Sequence, residues 1–219
     1  MKPVRHHKWD LTPKHAIDLQ ETLATEVVLE DSFQEPEFVA GVDVGFEKQG
    51  KIARAAVTVL DYATLELVEH AIAMLSVSFP YIPGLLSFRE IPVVLKALNK
   101  IRIQPEIILC DGQGIAHPRR LGIASHLGLL LDCPTIGVGK SRLVGAHDRV
   151  DENKGAYSPL IFKDQQVGVV LRTRKKVKPL YISPGHNISI DSSINIVMGC
   201  ITRYRLPETT RHAHRLASG

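Results

Sequence analysis

The stretch FVAGVDVGF, residues 38–46, places one carboxylate, that of Asp43, inside an otherwise apolar run. Valine and phenylalanine favour extended backbone, so residues 38–46 are predicted to form a strand. The run IARAAVTVL, residues 52–60, follows a Gly-containing turn, which indicates a hairpin. Residues 65–77 supply a third strand. We therefore expect an antiparallel meander of three strands.

The apolar spacing changes to a helical period after residue 77. The predicted helices are residues 12–28, 88–101, 121–131, 190–201 and 209–216, and the further predicted strands are residues 107–110, 135–138, 167–171 and 180–182. Residues 144–158 are polar and predict a long loop. These elements predict an α/β fold, a mixed sheet flanked by helices, in a single domain over residues 1–219.

Composition limits the classes of protein that the chain can be. Lys and Arg number 27 against 23 Asp and Glu, and this mild excess permits a nucleic-acid partner without requiring one. Three cysteines without a CxxC pair argue against a disulfide framework or a zinc ribbon and fit a reducing cytosol. No signal-peptide pattern or membrane-spanning run is present. We expect a cytoplasmic monomer with no membrane partner.

Three acids stand at positions that could converge. Asp43 lies inside the first strand, Asp111 ends the run EIILCD, and Glu90 lies near the start of the helix after the meander. Carboxylates that meet in one place repel each other unless a cation joins them, and oxygen ligands suit Mg²⁺ or Mn²⁺. Each acid alone could be a solvated strand end or helix start, although the burial of Asp43 between valines favours a functional role for that residue.

The stretch GVGKS, residues 137–141, fails as a phosphate-binding loop, because that motif needs glycine at the position of Pro134. Lys140 remains at a strand exit, where it could meet a phosphate or simply be exposed. Basic residues cluster at 117–120, 172–178 and 211–215, a distribution that fits contact with a phosphate backbone.

The stretch SFPYIPGLLSFRE, residues 78–90, is ill suited to be a strand. Pro80 and Pro83 fix the backbone on both sides of Tyr81 and Ile82. Such a stiff loop could plug the core, or it could act as a wedge that enters a base stack.

Four motifs together resemble the endonuclease V family of deoxyinosine-cleaving repair nucleases. They are AGVDVGF (40–46), PYIPGLLSFRE (80–90), CDGQGIAHPRRLG (110–122) and GVGKSRL (137–143). The resemblance implies a ribonuclease H-like fold and inosine-containing DNA as the partner. It also implies Mg²⁺-dependent hydrolysis of the second phosphodiester bond 3′ to the hypoxanthine, leaving 3′-hydroxyl and 5′-phosphate ends.

The resemblance also assigns roles to individual residues. Asp43, Glu90 and Asp111 would bind metal, and Lys140 and His214, the latter in RHAHRLA (211–217), would complete the catalytic set. The predicted DNA contacts are Tyr81 as the wedge, its neighbours Pro80 and Ile82, and His117, Arg119 and Lys140. The base pocket would be formed by Gly84, Leu86, Gly112, Gly114, Gly122 and Ile123.

Three other functions are consistent with parts of the pattern. An endonuclease acting at inosine in RNA would show a preference for a 2′-hydroxyl. A lesion-binding protein that does not cleave would need no acidic set, and a Holliday-junction resolvase on the same fold would lack the PYIPG loop.

Overall fold

The computed structural model describes all 219 residues, and its strands form one sheet of eight. The strands are β1 (Phe38–Glu47), β2 (Ile52–Asp61), β3 (Leu67–Ser76), β4 (Ile107–Cys110), β5 (Thr135–Gly139), β6 (Tyr157–Phe162), β7 (Gln165–Leu171) and β8 (Leu180–His186). The helices are α1 (Pro13–Ala24), α2 (Leu86–Leu98), α3 (Ile123–Leu131), α4 (Ile190–Gly199) and α5 (Glu208–Ala217). None of these helices has the length and apolar character needed to span a bilayer.

The sheet has the order β3-β2-β1-β4-β5-β8-β7-β6. The predicted meander is confirmed, because β1, β2 and β3 pair antiparallel. Strand β4 then pairs parallel with β1, with Val42 opposite Cys110, and β5 pairs parallel with β4. This register places the residues that follow, Asp43 and Asp111, side by side at the point where β4 ends and β1 continues to Glu47.

Helices cover both faces of the sheet. One cluster of buried apolar side chains joins Val42 on β1 to α2 and α3, and a second joins Val39 to α4. Successive residues of a strand point to opposite faces, so Gly41, Asp43 and Gly45 lie on the same face as Val39. That face of β1 also carries α5, while α2 lies on the other face.

Strand β6 was not predicted, and its first two residues lie in the segment assigned to a long loop. Pro159 lies within it, and proline has no N–H for a sheet ladder. The structure resolves the conflict by placing β6 at the edge of the sheet, where β7 is its neighbouring strand and its other side forms an isolated bridge from Ile161 to Ala146. The other differences are shifts of element ends: α1 ends at Ala24 rather than at residue 28, and β8 extends to His186.

Candidate active site

Two carboxylates and one imidazole meet where β4 ends beside the middle of β1. The side chains of Asp43 and Asp111 are both largely buried, and His214 on α5 places Nδ1 2.6 Å from Asp43 Oδ2. One ligand atom from each of Asp43, Asp111 and His214 lies within 4.8 Å of the other two. Such a group of oxygen and nitrogen donors can hold a divalent cation.

Two glycines of β1 allow α5 to bring His214 to this point. A Cβ atom at Gly41 would lie 2.2 Å from the carbonyl carbon of Thr209, and one at Gly45 would lie 2.3 Å from the carbonyl oxygen of Ala217. The backbone of α5 therefore rests directly on the strand on both sides of Asp43. Gly41 and Gly45 thus explain how α5, near the C-terminal end of the chain, packs closely enough on β1 for His214 to reach Asp43.

Glu90 approaches the same point from α2 but lies outside the group formed by Asp43, Asp111 and His214. Its side chain is buried, and burial followed by the charges of Asp43 and Asp111 raises the pKa of Glu90 to about 8. Without a cation, the charges of Asp43 and Asp111 therefore disfavour the ionised form of Glu90. A divalent cation would relieve this repulsion, so the residues fit a metal.

Lys140 follows β5, and its Nζ forms an ion pair with Asp111 Oδ2. The pKa of Asp111 is nevertheless raised, first by burial and then by Asp43, while Lys140 and His214 oppose the rise. Burial and the neighbouring carboxylate of Asp43 thus disfavour the ionised form of Asp111 despite its pairing with Lys140.

A cavity of about 320 Å³ opens beside Asp111. It is lined by five of the six residues predicted for the base pocket, namely Gly84, Leu86, Gly112, Gly122 and Ile123. Other wall residues have no predicted role: Gln20 lies outside the four motifs, whereas Ser87, Gln113 and residues 141–143 lie inside them. These come from parts of the chain that only the folded structure brings together.

Gly114 differs from its prediction, because it does not line this cavity. A Cβ atom there would lie 2.0 Å from the carbonyl oxygen of Pro184 in β8. The Gly114 amide donates instead to Ser183 Oγ at 2.8 Å. Gly114 therefore serves the packing of the loop after β4 against β8, behind the pocket.

Comparison with known proteins identifies the family. The family model described as Endonuclease V matches residues 21–215. The chain belongs to the endonuclease V family. An endonuclease V of Nostoc punctiforme is 59% identical over 219 residues, covering 100% of this chain and 99% of its own.

Solved endonuclease V structures share the fold. The crystal structure from Streptomyces avermitilis has a TM-score of 0.91 at 43% identity, covering 95% of this chain and 92% of its own. A Ciona intestinalis endonuclease V, solved with DNA containing an inosine followed by a ribo-adenosine, has a TM-score of 0.83 at 28% identity, covering 94% and 96%. The prediction of a ribonuclease H-like fold is confirmed, and the relatives indicate that the chain is a nuclease.

The PYIPG loop exposes an aromatic ring beside the cavity. Tyr81 lines the cavity and is 69% exposed, and Pro80 is also exposed. Ile82 is half-buried and packs against the cluster formed by Phe79 and its neighbours. The arrangement is that of an anchored loop with a free ring at its tip, which argues against Tyr81 as a core plug.

Two residues predicted to contact DNA are engaged inside the endonuclease V fold. His117 Nε2 and Arg119 Nη2 lie 3.0 and 2.8 Å from the carbonyl oxygen of Gly84, to which Gln20 Nε2 also donates at 3.0 Å. Burial and then the charge of Arg119 lower the pKa of His117 to about 4. Both side chains therefore support the loop that forms the pocket.

The three basic segments differ in how freely they present charge. Arg174, Lys175 and Lys176 are exposed between β7 and β8, whereas Arg120 donates to the carbonyl oxygen of Phe162. In α5, Arg211 is paired with Glu208. The segment 172–178 thus offers the larger share of free positive charge.

Proposed function

We propose that this chain is a DNA repair endonuclease that cuts at deoxyinosine. It hydrolyses the second phosphodiester bond 3′ to the hypoxanthine and leaves 3′-hydroxyl and 5′-phosphate ends. The observation that carries the proposal is the cavity of about 320 Å³ that opens directly beside Asp111 and the acidic group. A base cannot be inspected inside a duplex, so a pocket next to hydrolytic residues suits an enzyme that flips its target.

Asp43, Asp111 and His214, with Glu90 behind them, are the residues that would hold Mg²⁺ or Mn²⁺. A bound cation would supply Lewis-acid polarisation of the scissile phosphate. Its charge also lets Glu90 ionise, which burial beside two other acids opposes.

The chain's own residues orient the substrate. Lys140 can exchange its pairing with Asp111 for a phosphate oxygen, as a point charge with three donors. Tyr81, exposed beside the cavity, fills the gap that the flipped base leaves in the stack. The Gly84 carbonyl is fixed by three donors, so the pocket wall keeps its shape when the base enters.

The decisive experiment maps the cut on end-labelled strands. Strands carrying one hypoxanthine, and matched strands carrying adenine, are incubated with Mg²⁺, with Mn²⁺ and with chelator. We expect one cut, at the second phosphodiester 3′ to hypoxanthine, that chelator abolishes. Cleavage that ignores the hypoxanthine, or that persists in chelator, would refute the proposal.

An endonuclease acting at inosine in RNA is the second candidate. It is favoured by the Ciona complex, whose DNA carries a ribo-adenosine directly after the inosine. Strands that differ only in the 2′-hydroxyl of the nucleotide 3′ to hypoxanthine separate the two candidates. A faster cut at the ribonucleotide would assign the activity to RNA.

The proposal also includes three general properties of the protein. They are a single domain spanning residues 1–219, a cytoplasmic location and a monomeric state.

A further inference from the structure

A line of hydrogen bonds connects the N-terminal segment to the wall of the cavity. His7 Nδ1 lies 2.8 Å from the carbonyl oxygen of Lys8, and His7 Nε2 lies 2.8 Å from His126 Nε2. On the other side of that ring, His126 Nδ1 lies 3.0 Å from Ser87 Oγ. His126 is completely buried, and Ser87 lines the cavity from the first turn of α2.

The direction of every bond in this line follows from its first member. A carbonyl oxygen only accepts, so His7 Nδ1 carries the hydrogen that points to Lys8. Burial lowers the pKa of His7, and burial followed by the charge of His7 lowers the pKa of His126 to about 3. Near neutral pH each ring is therefore uncharged and carries one N–H.

The remaining hydrogens are then fixed. Since Nδ1 of His7 donates, its Nε2 accepts, and the facing Nε2 of His126 must donate. That leaves His126 Nδ1 as an acceptor, so the Ser87 hydroxyl donates its one hydrogen to His126. Ser87 Oγ has only lone pairs left to offer to anything else.

We propose that Ser87 is a specificity residue of the base pocket, fixed as a hydrogen-bond acceptor by His126 and His7, and that it selects bases with a hydrogen on N1. The inference rests on the proposed function. Hypoxanthine carries N1–H and can donate to Ser87. Adenine has a lone pair at N1, which would face the lone pairs of Ser87, and a polar mismatch in a closed site is unfavourable.

His7 acts here through His126, as a positioning residue. Its ring stacks on that of His126 with centroids 4.9 Å apart and contacts Trp9 with centroids 4.2 Å apart. The stacking packs the His7 ring against His126, but the acceptor atom Nε2 is what fixes the tautomer of His126. A side chain of similar bulk without that acceptor would keep the packing but would no longer determine which nitrogen of His126 carries the hydrogen.

The test is a double-mutant cycle with Ser87→Ala and His7→Phe. The readout is the ratio of Kd values for matched adenine and hypoxanthine strands in chelator, with cleavage of the bound hypoxanthine strand in Mg²⁺ measured separately. We expect Ser87→Ala to lower the ratio about tenfold, the value of one hydrogen bond. His7→Phe should lower it several-fold, and the double variant should be no worse than Ser87→Ala alone.

Two further variants guard against a merely structural effect. His7→Gln retains an acceptor and should restore most of the ratio, whereas His6→Phe, at an exposed neighbouring position, should leave it unchanged. Additive losses in the double variant, or an unchanged ratio in Ser87→Ala, would overturn the inference. A natural chain that does not prefer hypoxanthine would instead refute the proposed function, before any variant is compared.

Discussion

Asp43 and Asp111 carry the cleavage chemistry in this proposal, while the pocket binds the base. Asp43→Ala and Asp111→Ala should each lower cleavage in Mg²⁺ by at least about a thousandfold, because each removes an oxygen from the cation site. Binding of hypoxanthine strands in chelator should survive within a few-fold. Asp18→Ala, at an exposed position of α1, is the control for both assays. Normal turnover by either variant would remove that residue from the metal site.

Glu90 lowers the stability of the metal-free protein as the pH rises. Its pKa is about 8 in the folded chain, against about 4.5 for a free side chain, so it contributes stability below pH 4.5 that is lost as pH rises toward 8. Glu90→Gln should therefore raise Tm at pH 8 in chelator by several degrees, and should change Tm little at pH 4.5. Calorimetry at the two pH values checks this, and a lower Tm at pH 8 would contradict it. Cleavage should be lost at both.

Tyr81 should matter for duplexes more than for single strands. Tyr81→Ala removes an exposed ring, so Tm should change by less than about 2 °C. Kd for hypoxanthine-containing duplex should rise about tenfold, because stacking lost on flipping is no longer replaced. The single-turnover rate of bound substrate should change little. An equal loss on single strands would mean that Tyr81 contacts the base itself.

The contact between β1 and α5 determines whether His214 reaches Asp43. Gly41→Ala must push α5 away, because the new Cβ would meet backbone atoms of Thr209 at 2.2 Å. A displacement of about 1 Å at the site should slow cleavage about a hundredfold. The matched control is Gly155→Ala, whose methyl meets nothing within 4 Å but whose φ of +86° makes it mildly destabilising. Equal activity losses in the two variants would show that stability alone is involved.

The sequence predicts those elements whose local pattern agrees with their place in the fold. The meander was predicted because its residues are β-branched and apolar, and α3 because its run is uniformly apolar. Strand β6 was missed because Pro159 argues against a strand unless one knows that it lies at an edge.

The residues of the candidate site also differ in how far the sequence alone predicts them. Motif residues such as Asp43 and Gly84 were found by their chemistry or by resemblance. Gln20 lies outside every motif and reaches the pocket only through tertiary folding, whereas Ser87 and Arg142 lie inside motifs but show no sign of facing a pocket in the sequence alone. Gly114 was assigned to the pocket because it shares a motif with Gly112, yet the turn of the backbone between them sends it to β8.

Two buried neutral histidines lower the stability of the whole protein at acidic pH. The pKa values of His117 and His126 are about 4 and about 3, against about 6.5 in an unfolded chain. Below pH 6.5 the unfolded chain takes up protons first, so stability falls by about 1.4 kcal/mol per pH unit for each histidine. From pH 7 to pH 5 the expected loss from these two histidines is about 4 kcal/mol.

This prediction is best checked in the Glu90→Gln background, which removes the opposite pH dependence of Glu90. Urea unfolding at pH 7 and at pH 5 gives the difference in the free energy of unfolding. His126→Asn should show a smaller difference by about 2 kcal/mol. A free energy that stays constant between the two pH values would contradict the assignment of neutral buried rings.

The support of the Gly84 carbonyl has a consequence for where this domain can be shortened. One of its donors is Gln20, which also donates to the carbonyl oxygen of Leu121 at 3.1 Å and so joins α1 to two walls of the cavity. The match to the family begins one residue later, at position 21. A boundary drawn from sequence similarity would therefore remove one donor to the pocket wall while sparing Asp43, Glu90 and Asp111. We expect a chain trimmed there to keep its acidic group and to discriminate less between hypoxanthine and other altered bases.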